Sequence, residues 1–253
     1  MRALPGLLLV AALLASSRAD AEGLRLGLGT QFARYTTPTG ENVDLLNSSV
    51  SARVSRGRAG LTLAAPYVAL SGGRIALSDE RLAVTGGGEG WRHGLGDMSV
   101  SLDYNLLQNR QAAHIYVVTL SGSLRFPTAS TALQIGTGEH LLGFGLSGLY
   151  GLTRQLLLFA EARQSWVGIL TPVSARARWG ELGVVYWVTE KLGATASLVG
   201  ADYGQRAGTS LELNAGLLFE LLPGMMMNLG GLGGLAGQGA PRAGGSFGFG
   251  FEL

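Results

Sequence analysis

The sequence predicts an all-β protein, a transmembrane up-and-down antiparallel β-barrel of about 12 strands. Three observations predict this fold. First, apolar and polar residues alternate with period two along most of the chain, which is typical of strands. Second, the alternating segments are about 10 to 13 residues long, as a tilted membrane strand requires, whereas globular strands average roughly 5 to 6. Third, short and long connections alternate, as expected for short periplasmic turns and longer outer loops.

The composition excludes several functional classes. The chain has 253 residues, of which 47% are hydrophobic and 14% charged, with 41 Gly, 3 His and no Cys. Soluble domains average roughly 25% charged residues and about 7% Gly, so disorder, nucleic-acid binding and coiled coils are disfavoured. Without Cys the chain cannot form disulfides, thiolate zinc sites, iron–sulfur clusters or a cysteine nucleophile. We therefore expect no cofactor, no bound metal and no nucleic-acid partner.

The first 21 residues have the pattern of a secretory signal peptide. Arg2 is followed by the apolar run 7–15 and by the small residues Ala19-Asp20-Ala21. This order of a charged start, an apolar stretch and an A-x-A site is typical of cleaved export signals. We expect residues 1–21 to be removed and residues 22–253 to form the barrel in the outer membrane of a Gram-negative bacterium.

Twelve alternating segments follow in order. In the fourth, Leu102 and its apolar neighbours lie opposite Asp97 and Asp103, and in the tenth Leu213 lies on the face opposite Glu212. The predicted segments are 24–35, 48–56, 58–70, 96–107, 113–126, 139–152, 155–167, 177–188, 191–202, 209–221, 225–235 and 243–253. The predicted long connections are 36–47, 71–95, 127–138, 168–176, 203–208 and 236–242; residues 74–85 are expected to form either a hairpin in an outer loop or an additional spanning pair.

The last segment has aromatic residues at every second position. Phe247, Phe249, Phe251 and Leu253 alternate with small or polar residues up to the chain end. This ending resembles the carboxy-terminal signal of bacterial outer-membrane barrels. The resemblance implies that this strand is recognised by the barrel-assembly machinery, with outer-membrane lipid as the other partner.

The face opposite the apolar one carries charges of both signs and is predicted to line the lumen. Mixed signs indicate ion pairs that brace opposite walls, or alternatively contacts to a substrate. The predicted lumen-lining residues are Arg53, Asp97, Asp103, Arg125, Glu161, Arg163, Glu181, Glu212 and Glu220.

Two other interpretations stay open. A secreted β-sandwich or lipocalin-like barrel also alternates, but its outer face would carry far more Lys and Glu. An outer-membrane lipid hydrolase needs a Ser paired with a His at matching depth, and only His140 has a suitable depth, with Ser147 well below it. We therefore expect no catalytic residues and no enzymatic activity.

Three local patterns resemble one family. Residues 60–68 contain Pro66-Tyr67 near their end, residues 94–97 read Gly-Leu-Gly-Asp, and Pro127-Thr128 precedes Gly136-Thr137-Gly138. These patterns are similar to those of outer-membrane proteins of the meta-pathway of phenol degradation, a family of bacterial β-barrel transporters. The resemblance covers about residues 58–170. It implies a role in the passage of aromatic or other hydrophobic compounds.

The sequence therefore supports two main hypotheses. The first is an outer-membrane channel for passive uptake of small hydrophobic or aromatic compounds, in which Arg125, Glu161, Arg163 and the loop 127–138 are the residues of interest. The second is a structural barrel whose lumen is filled by its own side chains. Conductance or solute flux separates the two.

Overall fold

The period-two alternation produces a closed antiparallel β-barrel in a computed structural model of the chain. The structure describes residues 23–36, 40–78, 82–109, 115–169, 175–204, 208–237 and 240–253, so the predicted signal peptide lies outside the described residues. The strands in this part of the chain are β1 (Gly23–Thr36), β2 (Asn42–Arg56), β3 (Ala59–Ser78), β4 (Leu82–Leu95), β5 (Ser99–Asn109), β6 (Tyr116–Arg125), β7 (Leu141–Gly151), β8 (Leu156–Val167), β9 (Ala175–Trp187), β10 (Leu192–Asp202), β11 (Thr209–Leu222), β12 (Met225–Ala236) and β13 (Pro241–Glu252).

The barrel closes because the first strand pairs with the last. β1 pairs with both β2 and β13, and β2 also pairs with β3. β5 pairs with the lower part of β3 (59–64) and β4 with its upper part (67–78). Since β4 and β5 follow one another along β3, the thirteen strands build a wall twelve strands wide. The predicted all-β, twelve-strand, up-and-down barrel is confirmed.

The outer ends of two strands are longer than the sequence predicts. β2 begins at Asn42 instead of residue 48, because Arg34 of β1 holds Asp44 of β2 with two hydrogen bonds of 2.6 and 2.9 Å. β3 continues to Ser78, and β4 occupies most of the predicted loop 71–95. Within this range, the described residues 74–78 and 82–85 thus extend the β3–β4 pairing outward and do not form an additional spanning pair.

The outer face of the barrel is apolar around its circumference. Leu102 is 61% exposed, Leu146 51% and Leu182 65%, on β5, β7 and β9 respectively. An exposed apolar belt of this extent is typical of a lipid-facing barrel surface and untypical of a soluble one. Exposed Tyr116, Tyr150 and Tyr186 lie near the turn-side ends of their strands, where an aromatic girdle is expected. In the described ranges, no helix is long and apolar enough to cross a membrane.

The interior is layered, although the sequence predicts a polar inner face throughout. One apolar group lies toward the long loops and is called here the outer apolar cluster; it comprises Ala33, Tyr35, Val43, Leu45, Val68, Leu70, Ile75, Val84, Ala129, Ile135 and Leu232. A second apolar group at the opposite end is built around Phe159, Leu157 and Val185. Polar and charged side chains form the band between them. Two of its members, Val68 and Leu70, were hard to assign to the inner face because residues 61–70 are almost continuously apolar.

Candidate functional site

The polar band in the middle of the barrel holds most of the predicted lumen residues. Five of them are buried inside the barrel, on β6, β8, β9 and β11: Arg125, Glu161, Arg163, Glu181 and Glu212. The Nη2 of Arg163 donates a hydrogen bond to Ser123 Oγ at 2.7 Å. The hydroxyl of Ser210 donates to Glu212 Oε1 at 2.9 Å. The band therefore combines charged groups with hydroxyl partners, one on the same strand and one two strands away.

Two carboxylates of this band are register partners. Glu161 of β8 lies directly opposite Glu181 of β9, and both are buried. Two carboxylates facing each other are unfavourable unless cations or hydrogen-bond donors stabilise them. Arg163 lies two residues along β8 from Glu161, on the same face, and supplies a positive charge at this level. Bracing of the wall by these mixed charges stays a prediction.

A second set of ion pairs lies at the end with short turns. Arg53 Nη2 lies 2.6 Å from Asp103 Oδ2, joining β2 to β5 across β3. Arg25 Nη2 lies 2.8 Å from Glu252 Oε2, joining the first strand to the last. Sequence reasoning missed this second pair, because its partners become neighbours only when the barrel closes. Glu220 is half-buried near the same end, and its backbone N–H donates to the Lys191 carbonyl at 2.8 Å.

Asp97 does not lie on a strand, although the predicted segment 96–107 includes it. It occupies the break between β4 and β5, and it is 3% exposed. Its Oδ1 accepts a hydrogen bond from the Ala129 N–H at 3.1 Å. Its Oδ2 accepts from the Thr137 N–H at 3.0 Å and from Thr137 Oγ1 at 3.2 Å. The carboxylate thus anchors both halves of the loop 126–140, which is called here the outer loop.

Thr128 also connects the outer loop to the break between β4 and β5. Thr128 Oγ1 donates to the Gly96 carbonyl at 3.0 Å and accepts from the Met98 N–H at 2.9 Å. The Gly96 N–H in turn donates to the Pro66 carbonyl at 2.8 Å. A Cβ on Gly136 would lie 2.3 Å from the Ala129 Cβ and 2.7 Å from Asp97 Oδ1, so only glycine fits there. The three patterns that carry the family resemblance therefore meet at one place in the barrel.

The outer loop also covers the interior. Ala129 and Ile135 are buried in the outer apolar cluster, whereas Thr128 and Gly138 are exposed, and Pro127 and Thr137 are half-buried. Arg92 of β4 donates to Gln134 Oε1 at 3.0 Å and to the carbonyl of Gly73. The loop is thereby held against the upper part of β3 and β4 with its apolar side chains directed inward.

The cluster beneath this loop follows the register of the sheet. One row of paired residues runs from Leu232 on β12 through Gly244 and Ala33 to Leu45 and Leu70 on β3. Apart from Gly244, which has no side chain, all of these residues are buried and apolar. The result is an apolar lining inside the half of the barrel that faces the long loops.

The residues considered for a hydrolase are not arranged for that chemistry. His140 packs edge-on against Phe126, with ring centroids 6.2 Å apart. Ser147 is buried on β7, seven residues along the chain from His140. His140 and Ser147 therefore do not form a nucleophile with an adjacent base.

Comparison with known proteins supports the fold. No family model matches the chain, and no curated protein matches its sequence. Among solved structures, the COG4313 outer membrane channel from Pseudomonas putida F1 is similar with a TM-score of 0.71 at 12% identity, over 92% of this chain and 96% of that one. The NanC porin is similar with a TM-score of 0.56 at 10% identity, over 91% of this chain and 100% of that one. The translocator domain of autotransporter NalP from Neisseria meningitidis is similar with a TM-score of 0.55 at 13% identity, over 98% of this chain and 95% of that one. At these identities the likeness shows an outer-membrane type of β-barrel fold.

Proposed function

We propose that this chain is a passive outer-membrane channel for small hydrophobic or aromatic compounds that works without a cofactor. The observation that carries the proposal is the outer apolar cluster, an apolar lining inside a barrel whose outer surface is also apolar. A porin lumen for hydrophilic solutes is polar and water-filled. Here Leu45, Leu70 and Leu232 face inward instead.

The apolar lining determines which solutes are favoured. Transfer of apolar surface from water into an apolar site contributes about 25 cal/mol per Å², or about 0.8 kcal/mol per CH₂. A polar solute loses its hydrogen bonds to water without finding partners among these side chains, which costs roughly 1–3 kcal/mol per group. The lining therefore favours compounds of the class that the resemblance to the phenol-degradation family implies.

The outer loop is the cover of this lining. Ala129 and Ile135 close it from the side of the long loops, and Asp97 holds the loop in place. Entry of a solute requires this loop to move. We propose that the charged band below it, with Arg125, Glu161 and Arg163, keeps the wall rigid while the loop opens.

The location and the partners are part of the same proposal. The apolar belt fits outer-membrane lipid, and the last strand, β13, pairs with β1 through residues 241–252 and with β12 through residues 244–251. Phe247 and Phe251 are exposed on its outer face, as expected for a strand that the barrel-assembly machinery receives. Residues 1–21 would direct export and then be cleaved.

A closed structural barrel is the second candidate function. The observation that favours it is the filling of the middle band, where Glu161, Arg163, Glu181 and Ser165 are all buried. In such a barrel the apolar cluster would be a packing core beneath a permanent lid. The two candidates differ in solute flux, which one experiment measures.

The experiment compares uptake of radiolabelled toluene by Gram-negative cells with and without the expressed chain. We expect faster uptake with the chain and a loss of that increase in Leu45→Asn, which places an amide in the apolar lining. Val54→Asn is the matched control, since Val54 lies on the same strand but is 56% exposed on the outer face. Equal uptake with and without the chain would reject the channel and favour the closed barrel.

A further inference from the structure

We infer that Gln31, Asn47, Asn214 and Asn228 form a hydrogen-bonding site inside the barrel that selects apolar solutes carrying one neutral hydroxyl group. These four residues are called here the amide cluster. The inference deepens the proposed function and rests on it, because the solute must reach the apolar lining first. Four observations carry the inference.

The first observation is a wall in which glycines occupy inward positions beside the amides. On β12, β13 and β1, the inward positions next to the cluster include Gly230, Gly248 and Gly29, which share their strand faces with the buried Asn228, Ser246 and Gln31. At these three positions the strands bring no side chain of their own into the interior.

The second observation is the placement of the amides around that wall. Gln31 and Asn47 are register partners on β1 and β2, which places their Cα atoms about 4.5–5.5 Å apart. Asn228 lies over Gly248, since a Cβ at that glycine would be 2.5 Å from Asn228 Nδ2. Asn214 lies on β11, on the far side of β12. Asn228 thus projects over this wall, Gln31 lies on it, and Asn47 and Asn214 lie on the strands at its two sides.

The third observation is the state of their carbonyl oxygens. Gln31 is 3% exposed, Asn47 4%, Asn214 1% and Asn228 3%. Within the described residues, the side-chain carbonyl oxygen of each of the four is buried and has no hydrogen-bond donor. A buried acceptor without a donor is unfavourable, so these four oxygens together form a set of acceptors suited to a solute that carries a donor group.

The fourth observation is the apolar row next to the amides. Ala33 follows Gln31 on the inner face of β1, and Leu45 precedes Asn47 on that of β2. Both belong to the outer apolar cluster. A solute whose apolar part packs in that cluster therefore places a terminal hydroxyl at the amide carbonyls. A charged ammonium would also donate, but its desolvation in this setting disfavours it.

The test measures binding of two matched probes to the barrel in lipid nanodiscs. Benzyl alcohol carries the hydroxyl donor, and benzyl methyl ether has the same ring without a donor. The net contribution of one hydrogen bond to binding, after exchange with water, corresponds to about a fivefold difference in affinity. We expect the wild type to bind the alcohol about fivefold or more tightly than the ether.

The variants assign that preference to the amide cluster. Gln31→Met with Asn47→Leu removes two of the four carbonyl acceptors at similar side-chain volume, and we expect the preference for the alcohol to decrease while ether affinity stays unchanged. Migration of the boiled and unboiled protein on a detergent gel reports whether the double variant folds. Asn228→Leu is an independent variant for the case that it does not. The matched control is Asn105→Leu, because the Asn105 carbonyl already accepts from Thr119 Oγ1 at 2.9 Å.

The outcomes separate this inference from the proposed function. Equal affinities in the wild type, or a preference that is undiminished in the amide variants, would overturn the inference and show that the carbonyls hold only water. Binding of the ether without preference leaves the channel proposal intact. Failure of both probes to bind would reject the proposed function and this site together.

Discussion

Replacing Asp97 with Ala is expected to release the outer loop. The carboxylate accepts hydrogen bonds from the N–H groups of Ala129 and Thr137 at 3.1 and 3.0 Å and from Thr137 Oγ1 at 3.2 Å. Hydrogen bonds to a charged group contribute about 1.5–3 kcal/mol each. Counting only the two backbone bonds at the low end, Asp97→Ala lowers the free energy of loop opening by about 3 kcal/mol, which is an increase of about 150-fold in the open population.

Amide hydrogen exchange of residues 126–140 measures this opening directly. In the wild type, the Ala129 and Thr137 amides should be protected, and in Asp97→Ala their exchange should accelerate by about two orders of magnitude. Asp103→Ala is the matched control: it also removes an inward carboxylate, but its partner is Arg53 at the opposite end of the barrel. Exchange of the loop in that variant should equal the wild-type rate.

Unchanged exchange in Asp97→Ala would refute the reasoning. It would mean that the apolar contacts of Ala129 and Ile135 hold the loop without the carboxylate. A uniform increase across all strands would also contradict it, because the change would then report global destabilisation and not local release.

Three further predictions concern stability. Phe159→Ala removes a buried ring that lies over Gly183 and should lower the free energy of unfolding by about 3–5 kcal/mol in urea titration in detergent; a loss under about 1 kcal/mol would contradict the packed interior. A double-mutant cycle on Arg53 and Asp103 should give a coupling of about 1 kcal/mol that falls with added salt, and zero coupling would show that the pair does not brace the wall. Leu146→Arg, at the middle of the outer face of β7, should cost about 2–4 kcal/mol in lipid; no cost would place this face outside the bilayer.

Strand parity was predictable from the sequence because it depends only on local alternation. Leu102 and Leu213 lie on the outer face, as predicted, and Glu161 and Arg163 are buried on the other. The extent of β4 was not predictable, because its order depends on contacts of Arg92 with residues about forty positions away. Local alternation gives no information about such long-range partners.

The candidate site was predictable in part. The loop motif 127–138 and Asp97 both appear among the predicted residues, but their direct contact spans 32 and 40 positions in sequence and follows only from the fold. The amide cluster was not predictable, because an isolated Gln31 or Asn47 is an ordinary polar residue at an inward position. Their pairing requires the β1–β2 register, which depends on how far the hairpin extends beyond residue 36.

Each functional proposal above requires the outer face of the barrel to contact lipid. Since the chain has no Cys, Leu102→Cys and Leu182→Cys each provide a unique attachment point for a nitroxide spin label, and Ser130→Cys on the outer loop provides an exposed control. In reconstituted bilayers, the labels at 102 and 182 should collide with molecular oxygen and be shielded from a water-soluble nickel chelate, with the opposite result at 130. Nickel accessibility at 102 and 182 equal to that at 130 would show a water-exposed barrel and contradict the account.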